Sequence, residues 1–176
     1  SPAALVRGRH LPVSCGGAGV HPRRKGGASM SDIILLAVND SPAAFHAAEV
    51  AVTVARRLCV RLRAVSVVSQ VEQPSLDSSR ELTRQGELSA KAALRHVTAL
   101  GMAVGVDVVT VLRFGNVAAE ILDEALTCEA DLILMARVGR PGHVLQHLGS
   151  TTQHVLEFAT VPVLVVPARH PRWRVG

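Results

Sequence analysis

The sequence predicts an α/β domain, a doubly wound parallel sheet with helices on both faces, spanning about residues 31–168. Three observations carry this. Continuous apolar runs of strand length alternate with amphipathic helical stretches along that span. Aromatic residues are confined to Phe45, Phe114, Phe158 and Trp173, so Val, Leu, Ile and Ala must build the core, as in parallel strands buried on both sides. A Gly-rich stretch also leaves the end of the fourth apolar run, where open α/β sheets place their ligands.

The elements follow in order. Ile33 to Val38 (IILLAV) reads as a strand buried on both faces. Ser41-Pro42 supplies an N-cap with Pro at the first helical position, and that helix is expected to run to about Leu58. Leu62 to Val68 is a second strand. A loose polar stretch, Ser69 to Ser79, leads to a helix expected to end near Leu100, where Gly101 follows, and Val104 to Leu112 is the third strand. Gly115-Asn116 turns and caps a helix with Val117, Ile121, Leu122 and Ala125 on one side. Asp131 to Ala136 is the fourth strand, Ser150 to Phe158 a short helix, and Val161 to Val166 (VPVLVV) the last strand. Pro162 places that strand at an edge, because Pro cannot donate to a ladder.

The net charge of +5 belongs to the ends of the chain. Of 19 basic residues, 5 precede residue 31 and 3 follow residue 168, leaving 11 against 14 acids between them. The domain itself is mildly acidic and lacks aromatic platforms, so nucleic acid is not an expected partner. Residues 1–30, rich in Gly, Pro, Arg and Ser, are expected to be a disordered or non-native extension with Met30 as the natural start, and residues 169–176 a basic tail. Cys15, Cys59 and Cys128 form no CxxC pair. Cys59 and Cys128 end helices and read as small packing residues in a reducing cytoplasm. No apolar run approaches the ~20 residues of a membrane span.

The most specific stretch is ARVGRPGHVLQHLGSTT, Ala136 to Thr152. Gly139 and Gly142 permit sharp turning and close backbone approach. Gly149-Ser150-Thr151 opens a helix, whose unpaired N–H groups and positive dipole end attract an anion, and Arg137 and Arg140 add charge. The alternative is a Gly-rich connection in which Ser150 only caps the next helix.

From Ala136 through Gly139 to Gly149-Ser150, this spacing resembles the G-x2-G-x9-G-S/T signature of ATP-binding universal stress proteins. DLILMARVGRPGHVLQHLGSTTQHVLEFATVPVLVV is similar to that family's C-terminal half. IILLAVNDSPAAFHAAEVAVTVARRL resembles its opening strand, acidic turn and Ala-rich helix, and FGNVAAEI resembles its turn before the third helix. The resemblance covers about residues 31–168. It implies a five-stranded, Rossmann-like sheet of order 3-2-1-4-5 with an adenine nucleotide, ATP or AMP, across the gap between strands 1 and 4, Mg2+ accompanying it. Ala37 and Asn39 would face the nucleoside, and Val67 the adenine. Ala136, Arg137, Gly139, Arg140 and Gly142 would hold the phosphates together with Gly149, Ser150, Thr151 and Thr152. It further implies a homodimer through the last strand, and a stress-response regulator that is non-enzymatic or a slow ATPase. Two positions depart from the family pattern. Asn39 stands where Asp is usual, keeping an acceptor but losing the charge, and Ala136 replaces the first Gly of the signature, adding a methyl.

Other chemistries fit less well. There is no G-x-x-x-x-G-K-S/T loop, the first turn AVNDSP is not G-x-G-x-x-G, and the strand ends VLRF and VVPAR lack the Asp and Lys of a response-regulator receiver. An adenine-nucleotide hydrolase would need an S-G-G-x-D-S-type loop after strand 1. A nucleotide-free interaction module of the same fold is the alternative function. His143, His147 and His154 have no accompanying carboxylate or Cys and are not read as metal ligands. His46 and His96 are expected at the surface. Glu120, Asp123 and Glu124 read as a solvated acidic helix face.

Overall fold

A computed structural model describes residues 32–69, 76–137 and 148–168. Within them run β1 (Ile33–Ala37), α1 (Pro42–Leu58), β2 (Arg61–Ser69), α2 (Leu76–Val104), β3 (Val108–Gly115), α3 (Val117–Thr127), β4 (Leu132–Ala136), α4 (Ser150–Phe158) and β5 (Val163–Val166). The expectations for residues 1–30, for the tail 169–176 and for Gly139, Arg140, Gly142, His143 and His147 lie outside the described residues.

All five strands are parallel, in the order β3-β2-β1-β4-β5. Alternation along the strands divides the core into two layers. Ile34 and Leu36 of β1, Leu62 and Ala64 of β2 and Leu134 of β4 pack under α1 and α2, whose Ala47, Ala48, Ala51 and Ala93 let the helices lie close. Leu35, Val65, Val111 and Ile133 pack against Ala118, Ile121 and Ala125 of α3 and Val155 of α4. The chain winds from β1 out to β3, then returns to place β4 on β1's other side. The strand order therefore reverses between β1 and β4 and opens a crevice at their C-terminal ends.

Local chemistry sets the helix starts as expected. The Ser41 hydroxyl accepts from the Ala44 N–H at 3.1 Å, and the Asn116 side chain from Ala119 N–H at 3.1 Å. Several boundaries differ, among them the start of α2 at Leu76, inside the stretch Ser69 to Ser79 expected to be loose. Helix α2 runs through Gly101 and ends at Val104, so the third strand starts at Val108 rather than Val104. Gly101 is no stop signal: a Cβ there would lie 2.3 Å from Val108 Cγ2 and 2.9 Å from the Val106 carbonyl, so glycine lets the helix touch β3. The turn is made instead at Gly105, with φ +73°. Strand β5 begins at Val163, one residue after Pro162. The Pro162 carbonyl still accepts from Ile133 N–H at 3.0 Å, and the strand borders the sheet as Pro162 implied.

Candidate functional site

The crevice is bounded by the ends of β1, β2 and β4 and the start of α4. Ala37 closes β1 and is buried against the α3/α4 layer, where Val67 of β2 also packs, half-buried. Asn39 follows two residues after Ala37. Its Oδ1 accepts from Ser41 N–H at 3.1 Å, which shapes the turn into α1. The structure thus puts the Asn39 acceptor to work inside the turn.

Ala136 belongs to the opposite layer, in one cluster with Ala44, Ala47 and Ala48 of α1. The methyl that distinguishes it from the family's glycine is therefore packed into the core. Its carbonyl accepts from the buried Thr152 hydroxyl at 3.1 Å, and the next carbonyl, Arg137 O, accepts from Gly149 N–H at 2.9 Å. These two bonds fasten the first turn of α4 to the end of β4. The Thr152 hydroxyl is committed to that fastening, so its hydroxyl is structural here.

Gly149 is the N-cap of α4 and supplies no side chain to cap it. Ser150 is the first helical residue, exposed, so its hydroxyl does not cap the helix either. The first intrahelical bond runs from Gln153 N–H to Gly149 O at 2.9 Å. The N–H groups of Ser150, Thr151 and Thr152 therefore form the positive end of the helix, as any helix start requires. Arg137 lies beside them, with its N–H bonded to Val166 O at 2.9 Å, and its side-chain Nε is buried without a hydrogen-bond partner. An anion is what this arrangement can hold.

The profile of the universal stress protein family matches residues 30–167. The chain belongs to the universal stress protein family. It is 28% identical over 145 residues to a universal stress protein of Methanocaldococcus jannaschii, covering 81% of this chain and 85% of that one. It is 30% identical to the solved universal stress protein UspA of Lactobacillus plantarum, with a TM-score of 0.70, covering 76% of this chain and 96% of that one. The fold is shared with a universal stress protein of Archaeoglobus fulgidus solved in complex with dAMP, 20% identical, TM-score 0.55, covering 76% of this chain and 94% of that one.

Within this universal stress protein, one charged group was misread from sequence. Asp123 is exposed as a solvated face implies, but Glu124 is buried, Glu120 is half-buried, and all three carboxylates are held by arginine. Arg113 of β3 donates through Nε to Glu120 Oε2 at 2.6 Å, through Nη1 to Glu124 Oε2 at 2.6 Å, and through Nη2 to Asp123. Arg63 of β2 donates to the other Glu124 oxygen at 2.5 Å. The Glu124 side chain is only 3% exposed. Burial opposes the charge on Arg113, yet its hydrogen bonds to Glu120, Glu124 and Asp123 outweigh it and hold the guanidinium above its ordinary pKa. Arg113 is in register with Val67, so this cluster borders the far end of the crevice. The visible signal was an arginine inside each of two apolar strand runs, LRAVSVV and VLRF. Burial pushes the Cys128 thiol up, Arg63 opposing and Glu124 reinforcing, so it packs as a protonated thiol. Cys59, expected to pack, is instead exposed at the left-handed C-cap of α1, φ 54°. Of the two helical histidines, His96 is exposed as expected and His46 is only partly so. No helix among the described residues is long and apolar enough to cross a membrane.

Proposed function

We propose that this universal stress protein is a cytoplasmic regulatory protein that binds an adenine nucleotide, ATP or AMP, and is no enzyme or at most a slow ATPase. The observation that carries this is the unpartnered start of α4 beside Arg137, at the crevice where the strand order reverses. The phosphates lie against Gly149, Ser150 and Thr151 beside Arg137, and Gly139, Arg140 and Gly142 are further phosphate-binding residues of this reading. The nucleoside lies toward Ala37, Asn39 and Val67. The dAMP complex of the A. fulgidus relative supports an adenine nucleotide as the ligand class.

The protein acts as a homodimer through β5. Among the described residues that strand has a neighbour on one side only, and Leu164, at 40% exposure, lies on it, with Phe158, at 54%, ending α4 just before it. A bare apolar edge is a template for pairing, and a symmetric partner strand covers it. Val163→Lys or Val165→Lys is expected to give monomer or insoluble protein. A wild-type chain that sediments as a monomer at micromolar concentration would remove the dimer from this reading.

Calorimetric titration with ATP, ADP and AMP tests the nucleotide site. Binding that weakens sharply in Gly149→Val, where a branched side chain fills the phosphate position, is the expected result. The engagement of the Asn39 carbonyl by Ser41 favours the second reading, a nucleotide-free interaction module, and absence of binding at millimolar nucleotide would select it.

A further inference from the structure

Between Leu132 and Leu156 the chain carries Arg137 and Arg140 and no Asp or Glu. Arg137 is held by its backbone on both sides, donating to Val166 O and accepting from Gly149 N–H, each at 2.9 Å. It cannot move away from the start of α4 without breaking the sheet edge or the helix cap. A guanidinium stays charged at every physiological pH, and its buried Nε–H has no acceptor. The positive end of the helix dipole adds charge of the same sign next to it. Elsewhere in the fold, Arg63 of β2 and Arg113 of β3 are answered by the carboxylates of Glu120, Asp123 and Glu124. Among the described residues no carboxylate answers Arg137, and a phosphate can supply the missing partner.

The same inventory disagrees with Mg2+. That ion is held through one or two carboxylates together with substrate phosphates. The turn after β1 offers the Asn39 amide in place of a carboxylate, its one acid, Asp40, is exposed, and the β4–α4 stretch offers none. A divalent cation at the phosphates would also face Arg137.

We propose that Arg137 is the fixed counter-charge for the ligand's phosphate, so that this chain binds its nucleotide free of a divalent cation. This rests on the nucleotide reading above, and it makes the site selective for phosphorylated ligands over the bare nucleoside.

The test titrates ATP, AMP and adenosine into wild type, Arg137→Gln and Arg137→Lys, each in EDTA and in excess Mg2+. Wild type is expected to bind ATP at least as tightly in EDTA as with Mg2+. Arg137→Gln is expected to lose about tenfold to hundredfold in ATP affinity with adenosine affinity unchanged, and Arg137→Lys to recover part of it. ATP binding that requires Mg2+, or that survives Arg137→Gln intact, would overturn the proposal. Thermal shift with pyrophosphate in EDTA separates the two readings. Pyrophosphate that stabilises wild type but not Arg137→Gln, without nucleotide binding, keeps Arg137 as the anion partner and removes the nucleotide. No response to either ligand removes both.

Discussion

Arg113 and Arg137 are the same side chain in opposite circumstances. Arg113, 19% exposed, binds three carboxylates of α3, one of which, Glu124, it shares with Arg63, and every partner lies within the fold. Arg137 emerges beside a helix start and leaves a buried N–H without an acceptor. The first arrangement is closed: its charges answer one another and hold α3 against β2 and β3. The second is open: among the described residues no acceptor meets that N–H. Buried charge alone therefore does not mark a site. A charge whose partner is missing does.

Breaking the closed cluster is expected to have the largest effect. Glu124→Ala leaves Arg63 and Arg113 facing one another across a gap, and should cost about 3–5 kcal/mol in chemical denaturation. A loss below about 1 kcal/mol would reduce the cluster to an ordinary surface pairing. At the open site the effect moves from folding to binding. Ser150→Ala removes one hydrogen bond to a charged ligand, about 1.5–3 kcal/mol, seen by calorimetry as roughly tenfold to hundredfold weaker nucleotide affinity. Thr152→Val should lower stability by about 1–3 kcal/mol, because the buried Ala136 carbonyl loses its donor. Equal nucleotide affinity per folded molecule would confirm that its hydroxyl serves the fold. The smallest effect sharpens the contrast most. Arg137→Gln should leave unfolding free energy within about 0.5 kcal/mol of wild type or raise it. A large destabilisation there would mean that Arg137, like Arg113, has a structural partner.

Much of this was legible in the sequence, and the gaps have physical causes. IILLAV and DLILMA read as strands buried on both faces because their apolar residues follow without a break at strand length, whereas VPVLVV forms an edge strand with Leu164 exposed. Ser41-Pro42 and Gly115-Asn116 mark helix starts through local hydrogen bonding, which involves only near neighbours. Gly101 misled for a long-range reason: it serves a contact with Val108, which helical periodicity does not register. Glu124 misled likewise. Its spacing with Glu120 and Asp123 is what a solvated face would show, and its partner Arg63 lies 61 residues away. Among site residues, Gly149 and Ser150 were visible as a glycine opening a helix. The division of labour between Thr152 and Ser150 was not, since both are hydroxyls on the same first turn and only the position of the Ala136 carbonyl separates them.

The pair of bonds from Thr152 to Ala136 and from Gly149 to Arg137 has a consequence for how the protein can change over generations. They join the end of β4 to the start of α4 directly, so the chain between is a ring already closed by the fold. Lengthening such a ring costs little, about 0.6 kcal/mol for each doubling. The connecting sequence can thus be rewritten, in length or composition, while the helix start stays where the two bonds hold it. New ligand preferences can be sampled there without the sheet having to be solved again.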